Sequence, residues 1–505
     1  MKGLVKLHHL IHSLSKTEKR YISIELSKQK ATKGKIDLQL FNLLKKQNSL
    51  DEDVIFSVRE FNSTQKLIIR TNYLFDFILR CLIDYNYSRE IEINIGNHIR
   101  IVKNFILKGL HQYTHYYLNK AWKLAGQYED LYRLGILCSL RKVIVNRSSA
   151  THAEFFKEIQ KIEQQESLVH EKIFNLNSYS NHLNHLSTAL KKNSSSHLDE
   201  KTLTILNNII ASPLFSKGKN AQTKKAKIIF HQVNAIYHEH VTYDYKQALH
   251  HTEKQMELIK YLESYQKTNS PSYITCLKQY CVFSAENHQF DKAKEALSTL
   301  QNMYEGKSAS KNLFEQSLIF LNYLEAETRL TLIDHDIHRL DKTQTKIAEE
   351  IELFDKIFDG ESKMIIYFNL SIRLLFVNDY KGAFHWLEKI LRGRYGMRID
   401  ILQDAYVLSL ICIYEIDSVN LFESRKRSYM RHYQQEETNS THSKIIHLLA
   451  RIYQHKNNAE HVRKNLFKLE TFLMEEMKKN EIDNLLAETI LLWIRKKTKS
   501  PPAYS

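Results

Sequence analysis

Residues 367–391 read YFNLSIRLLFVNDYKGAFHWLEKIL. Tyr367, Leu370, Ser371 and Leu374 recur at helical spacing, and so do Tyr380, Ala383, Leu387 and Ile390. Asn378-Asp379 is a polar break between the two runs. The pattern predicts two helices folded back on one another. Ala383 is small at their crossing, which lets the backbones approach while large neighbours fill the groove beside it. The phrase returns upstream as Tyr245-Lys-Gln-Ala248-Leu and as Phe290-Asp-Lys-Ala293-Lys-Glu-Ala296-Leu. Ala248, Ala293 and Ala383 are separated by 45 and by twice 45 residues. One helical unit repeated at a fixed period predicts a stacked array.

Punctuation agrees with this. The 505 residues contain 4 prolines and 12 glycines, too few for a chain of hairpins, tight turns or phosphate loops. No run of alternating β-branched residues long enough for a sheet is present. Ser212-Pro213 and Ser270-Pro271 each read as an N-cap followed by proline in the first helical turn. Ser15-Lys-Thr-Glu18 reads as a capping box, and Asp51-Glu52-Asp53 as acids at a helix start. Gly34 is placed in a basic loop, Gly109 in a tight turn, and Gly393 in a left-handed helix end.

With 43% hydrophobic residues the chain can bury a large interior. Cys81, Cys138, Cys276, Cys281 and Cys412 form no Cys-x-x-Cys pair and read as reduced thiols. The N-terminus lacks the pattern of a secretory signal, and the most apolar run, Ala405 to Ile416, is too short to span a bilayer. A cytoplasmic protein without membrane insertion is therefore expected. The net charge of +16 suits solvated helix faces, and secondarily an acidic partner or nucleic acid.

The repeat unit resembles a tetratricopeptide repeat. The likeness rests on Tyr367, Leu370, Ser371, Tyr380 and Ala383, and on Leu277, Tyr280, Cys281, Phe290 and Ala293. It covers residues 225–400 well and the flanks loosely. The units are longer than that family's 34 residues and lack its closing proline, which implies longer helices or wider loops. In general character, rich in Lys, Asn, Ile and Tyr, the chain also resembles helical-repeat proteins of AT-rich Bacteroidota genomes. The resemblance implies an all-α, right-handed solenoid of helical hairpins over residues 91–497. An N-terminal helical module (1–90) precedes it and a disordered tail (498–505) follows. It further implies a non-catalytic interaction scaffold that holds a peptide or partner helix on the concave face. The positions carried over are Lys278, Val282 and Glu286 in one unit and Phe368, Ile372 and Leu375 in the next. The second set is apolar, which leaves two readings open: a groove for a partner, or an array that curls and buries this face on itself. Burial is the simpler.

No constellation of acid, base and nucleophile emerges, so no enzyme activity and no cofactor is expected. His182 and His185 share a helix face but lack a third metal ligand, so no metal is expected either. Gly393-Arg-Tyr-Gly396, flanked by Arg392, Arg394 and Arg398, has the spacing of a phosphate-clamping loop but follows a repeat helix. Arg425, Lys426, Arg427 and Arg431 form the densest basic cluster. Together these arginines and Lys426 are the candidate surface for the alternative function, a nucleic-acid-associated regulator.

Overall fold

A computed structural model of the chain describes residues 2–29, 32–47, 49–86, 91–148, 151–192, 198–216, 218–262, 271–305, 313–336, 339, 347, 350–351, 354, 357–393, 398–433, 440–479, 482 and 484–499. Among them every regular element is helical. The all-α expectation holds.

The first helices are α1 (Lys2–Ser13), α2 (Lys16–Ser27), α3 (Thr32–Lys46), α4 (Glu52–Phe56) and α5 (Thr64–Asn86). They share one core from Leu4 to Cys81. The capping box at Ser15 and Glu18 is present, and Asp51 caps α4. Gly34 lies inside α3 and not in a loop. The α1 histidines terminate α3: His8 Nε2 donates to the Gln47 carbonyl at 2.9 Å and His12 Nε2 to that of Leu44 at 3.0 Å.

Next come α6 (Ile91–Leu107), α7 (Thr114–Gln127), α8 (Leu131–Ser148), the long α9 (His152–Lys192) and α10 (Glu200–Ala211). α6 packs on α7 and α8 on α9, and the later helices pair likewise. They are α11 (Lys224–Tyr237) with α12 (Tyr245–Tyr261), α13 (Pro271–Glu286) with α14 (Phe290–Glu305), and then α15 (Leu313–Asp334). The series continues with α16 (Gly360–Phe376) and α17 (Tyr380–Arg392), α18 (Ile399–Ile416) and α19 (Val419–Tyr433), and α20 (Thr441–Gln454) and α21 (Ala459–Lys478). The final described helix is α22 (Asn484–Lys499), so residues 498 and 499, assigned to the tail, are helical; residues 500–505 lie outside the described set. The first helix of each pair, then α22, begins 39 to 47 residues after the one before. The period of 45 thus lies within the range over which real units vary. Ala248, Ala293 and Ala383 are all fully buried.

Turns explain the missing glycines. Among the described residues, Glu129, Tyr243, His288, His335, Asn378, Arg398 and Asp417 adopt positive φ, whereas Gly109 is the glycine that does. At His288 the bonds are those of a Schellman end: His288 N–H to Ala285 O and Gln289 N–H to Ser284 O, both 2.8 Å. Asn378 and Glu129 repeat the pattern. Asp244, Asp379 and Asn458 then cap the second helices, as Thr223, Asp359 and Ser440 cap first ones. Side-chain caps and left-handed polar residues thus supply the breaks that Pro and Gly usually make.

Two further expectations are corrected. Pro271 opens α13, but Pro213 follows α10 within a turn, and Ser212 is that helix's C-cap. Gly393 ends α17 with φ −70° and ψ 149°, extended and not left-handed.

Candidate functional site

First helices lie beside first helices: α13 packs on α15, α15 on α16, α16 on α18, and α18 on α20. Charged side chains join them in a ladder. Lys278 Nζ meets Glu325 Oε2 at 2.5 Å, and Glu286 meets Arg329 at 3.5 Å. Buried Glu327 pairs with fully buried Arg373 and accepts from Tyr323 OH at 2.6 Å. Arg398 bridges Asp400 at 2.7 Å and Glu361 at 3.9 Å, and His442 Nε2 lies 2.7 Å from Asp404. Burial opposes the charge on Lys278, but Glu325 outweighs it and leaves the ammonium's pKa raised.

Lys278 and Glu286 are therefore spent on the neighbouring helix, and Val282 is buried beside Ala235, Ala248 and Phe283. Phe368, Ile372 and Leu375 are buried too. α22 packs against α15 and α16 and bonds to α18. Its Leu486, Ile490, Leu491, Trp493 and Ile494 join the core that contains Phe368, Ile372 and Leu375. Trp493 Nε1 and Lys497 Nζ each donate to Glu415 at 2.7 Å, and Lys496 Nζ donates to the Phe376 carbonyl at 2.6 Å. Of the six positions, Val282, Phe368, Ile372 and Leu375 are thus buried within the chain, and Lys278 and Glu286 are part-buried and ion-paired to α15.

Part of the basic cluster is paired with acids. Glu388 pairs with both Arg392 (2.7 Å) and Arg425, whose guanidinium lies between the rings of Phe384 and Tyr406. Burial lowers the pKa of Arg425. Lys426 is half-buried, Arg427 and Arg431 are exposed, and Arg394 lies outside the described residues.

An open cleft lies elsewhere, with a volume of about 480 Å³. Its apolar wall is Ile91, Ile95, Leu131, Tyr132, Ile136 and Leu176, drawn from α6, α8 and α9. At its rim Glu129 accepts the first two amides of α11, from Lys224 at 2.9 Å and Lys225 at 3.0 Å. A carboxylate there answers the positive end of the helix dipole. Arg133 holds Asp130 and approaches Glu92 at 3.7 Å.

Histidines gather at a second place. His231 Nδ1 lies 3.0 Å from His251 Nδ1, and His238 stacks on His251 at 5.7 Å. Burial and the neighbouring imidazoles push His231 down to about 4 and His251 down to about 3, so a neutral pair shares one proton between the two Nδ1 atoms. Among the described residues no group of three or more His, Cys, Asp or Glu is arranged to hold a metal ion. His182 packs edge-on against Phe215. The cysteines are free and buried, and burial raises Cys281 to about 12. Among the described residues no helix is long and apolar enough to cross a membrane.

Periodicity overlooked the ladder partners Glu325, Glu327, Arg329, Arg373, Asp404 and His442. The signal was there: a charge inside an otherwise apolar helix, as in Ser371-Ile-Arg373-Leu-Leu, requires a buried partner. No protein-family model matches the chain, and neither a curated protein nor a solved structure is significantly similar to it.

Proposed function

We propose that the chain is a tetratricopeptide-like, right-handed solenoid that acts in the cytoplasm as a non-catalytic interaction scaffold. Its docking site is the cleft between α6, α8 and α9. The observation that carries this reading is the contrast between two surfaces. The first-helix face around α16 is filled by α22, whereas the α8 cleft is open and presents Tyr132 and Ile136, 60% and 43% exposed, over an apolar floor. Such a cleft suits an amphipathic helix or extended peptide that brings its own apolar anchors. The ladder from Lys278 to His442 serves this role indirectly, setting the register of the helices that stack behind the site.

The test is a photo-crosslinking amino acid at residue 136, with one at residue 427 as control, followed by nuclease treatment and mass spectrometry. One recurrent protein adduct at 136, unaffected by nuclease and lost in Leu131→Glu, is expected. Adducts that vanish with nuclease, or that form equally at 427, would favour the nucleic-acid alternative and overturn this one.

A further inference from the structure

α5 buries Leu67, Thr71, Leu74, Ile78 and Cys81 along one stripe. On its opposite face Ile69, Tyr73, Leu79 and Ile83 are 66%, 38%, 40% and 61% exposed. Scattered exposed apolar side chains are ordinary, but four on one helix face make a patch. Asp76 and Arg80 stand in the middle of it, both exposed. An acid four residues ahead of a base commonly forms an ion pair along a helix. Here Arg80 instead turns its Nε to the Asp76 main-chain carbonyl at 3.4 Å, and the Asp76 carboxylate has no cation among the described residues.

We propose that this face is closed by a second copy of the chain, α5 against α5, antiparallel about a two-fold axis. The spacing argues for it. Asp76 and Arg80 are symmetric about position 78, and so are Tyr73 and Ile83. An axis at that level therefore sets Asp76 opposite the second copy's Arg80 twice, and Tyr73 opposite Ile83 twice. That reciprocity is what an isologous contact requires. A parallel pairing would place like charges together, and an unrelated partner would have no reason to match one centre of symmetry twice. From Ile69 to Ile83 the stripe is about 21 Å long at 1.5 Å per residue. A contact of that size lies at the weak end of specific interfaces, so a reversible dimer is expected.

Sedimentation velocity of the full chain between about 1 and 200 μM tests the proposal. The expected result is a monomer–dimer equilibrium that Ile83→Glu abolishes while the circular-dichroism melt stays unchanged. Asp76→Arg weakens the dimer by about tenfold or more through like-charge contact. The double swap D76R/R80D restores it to within about threefold, because the reciprocal pairs re-form with reversed sign. A monomer over the whole range overturns the proposal. So does a dimer indifferent to Asp76→Arg, or one that the double swap fails to rescue.

Discussion

His288 holds φ at 57°, where a side chain is strained and glycine is not. His288→Gly is therefore expected to raise stability by about 0.5–1 kcal/mol, read as an increased midpoint in chemical denaturation. Glu327 and Arg373 present the opposite case. Removing either partner alone leaves a buried charge, so Glu327→Leu should cost about 3–5 kcal/mol, and the double change to Leu and Met much less. The His231–His251 pair carries a pH dependence. Both folded pKa values lie below the unfolded value of 6.5, so the unfolded chain binds more protons and stability rises with pH. Stability is full above about 6.5 and falls as pH drops towards 4, by up to about 2 kcal/mol per ring. His251→Phe should flatten that part of a stability-against-pH profile. These residues show what one sequence conveys and what it hides. Ser15 and Asp51 announced their caps because capping is local chemistry. The His231 contact joins two helices, and nothing in either helix alone predicts it.

Helix pairs behave similarly. The hairpin of α16 and α17 was legible because Asn378-Asp379 interrupts two helical stripes, and Ala383 is buried as its size implied. The fate of the α16 inner face was not legible. Phe368, Ile372 and Leu375 are apolar whether a partner or α22 covers them, and periodicity carries no information about which helix returns from far along the chain. The contact itself is specific: Glu415 receives both Trp493 and Lys497. Glu415→Ala should leave the indole N–H unpaired, costing about 1–3 kcal/mol. In limited proteolysis α22 should then be the first segment released.

On the scale of the whole molecule, burial is uneven. One continuous core runs from Phe320 to Ile494, while residues 4–81 and 95–169 close separate, smaller cores. Non-local closure makes the large core cooperative, and arrays joined only through neighbours lose structure piecemeal. Native-state hydrogen exchange should accordingly show α16, α18 and α22 exchanging together and last, with α8 and α9 opening earlier. Near residue 398 the basic charge is partly offset, since Glu388 pairs with Arg392 and Arg425, and Glu361 and Asp400 with Arg398. The position of α22 also bears on how the protein is made. Asn484 follows Phe376 by more than a hundred residues, and at about 5–20 residues per second a ribosome needs roughly 5–20 s to deliver it. Throughout that interval the part of α16 that meets α22 lacks this cover, and its apolar side chains are open to wrong contacts.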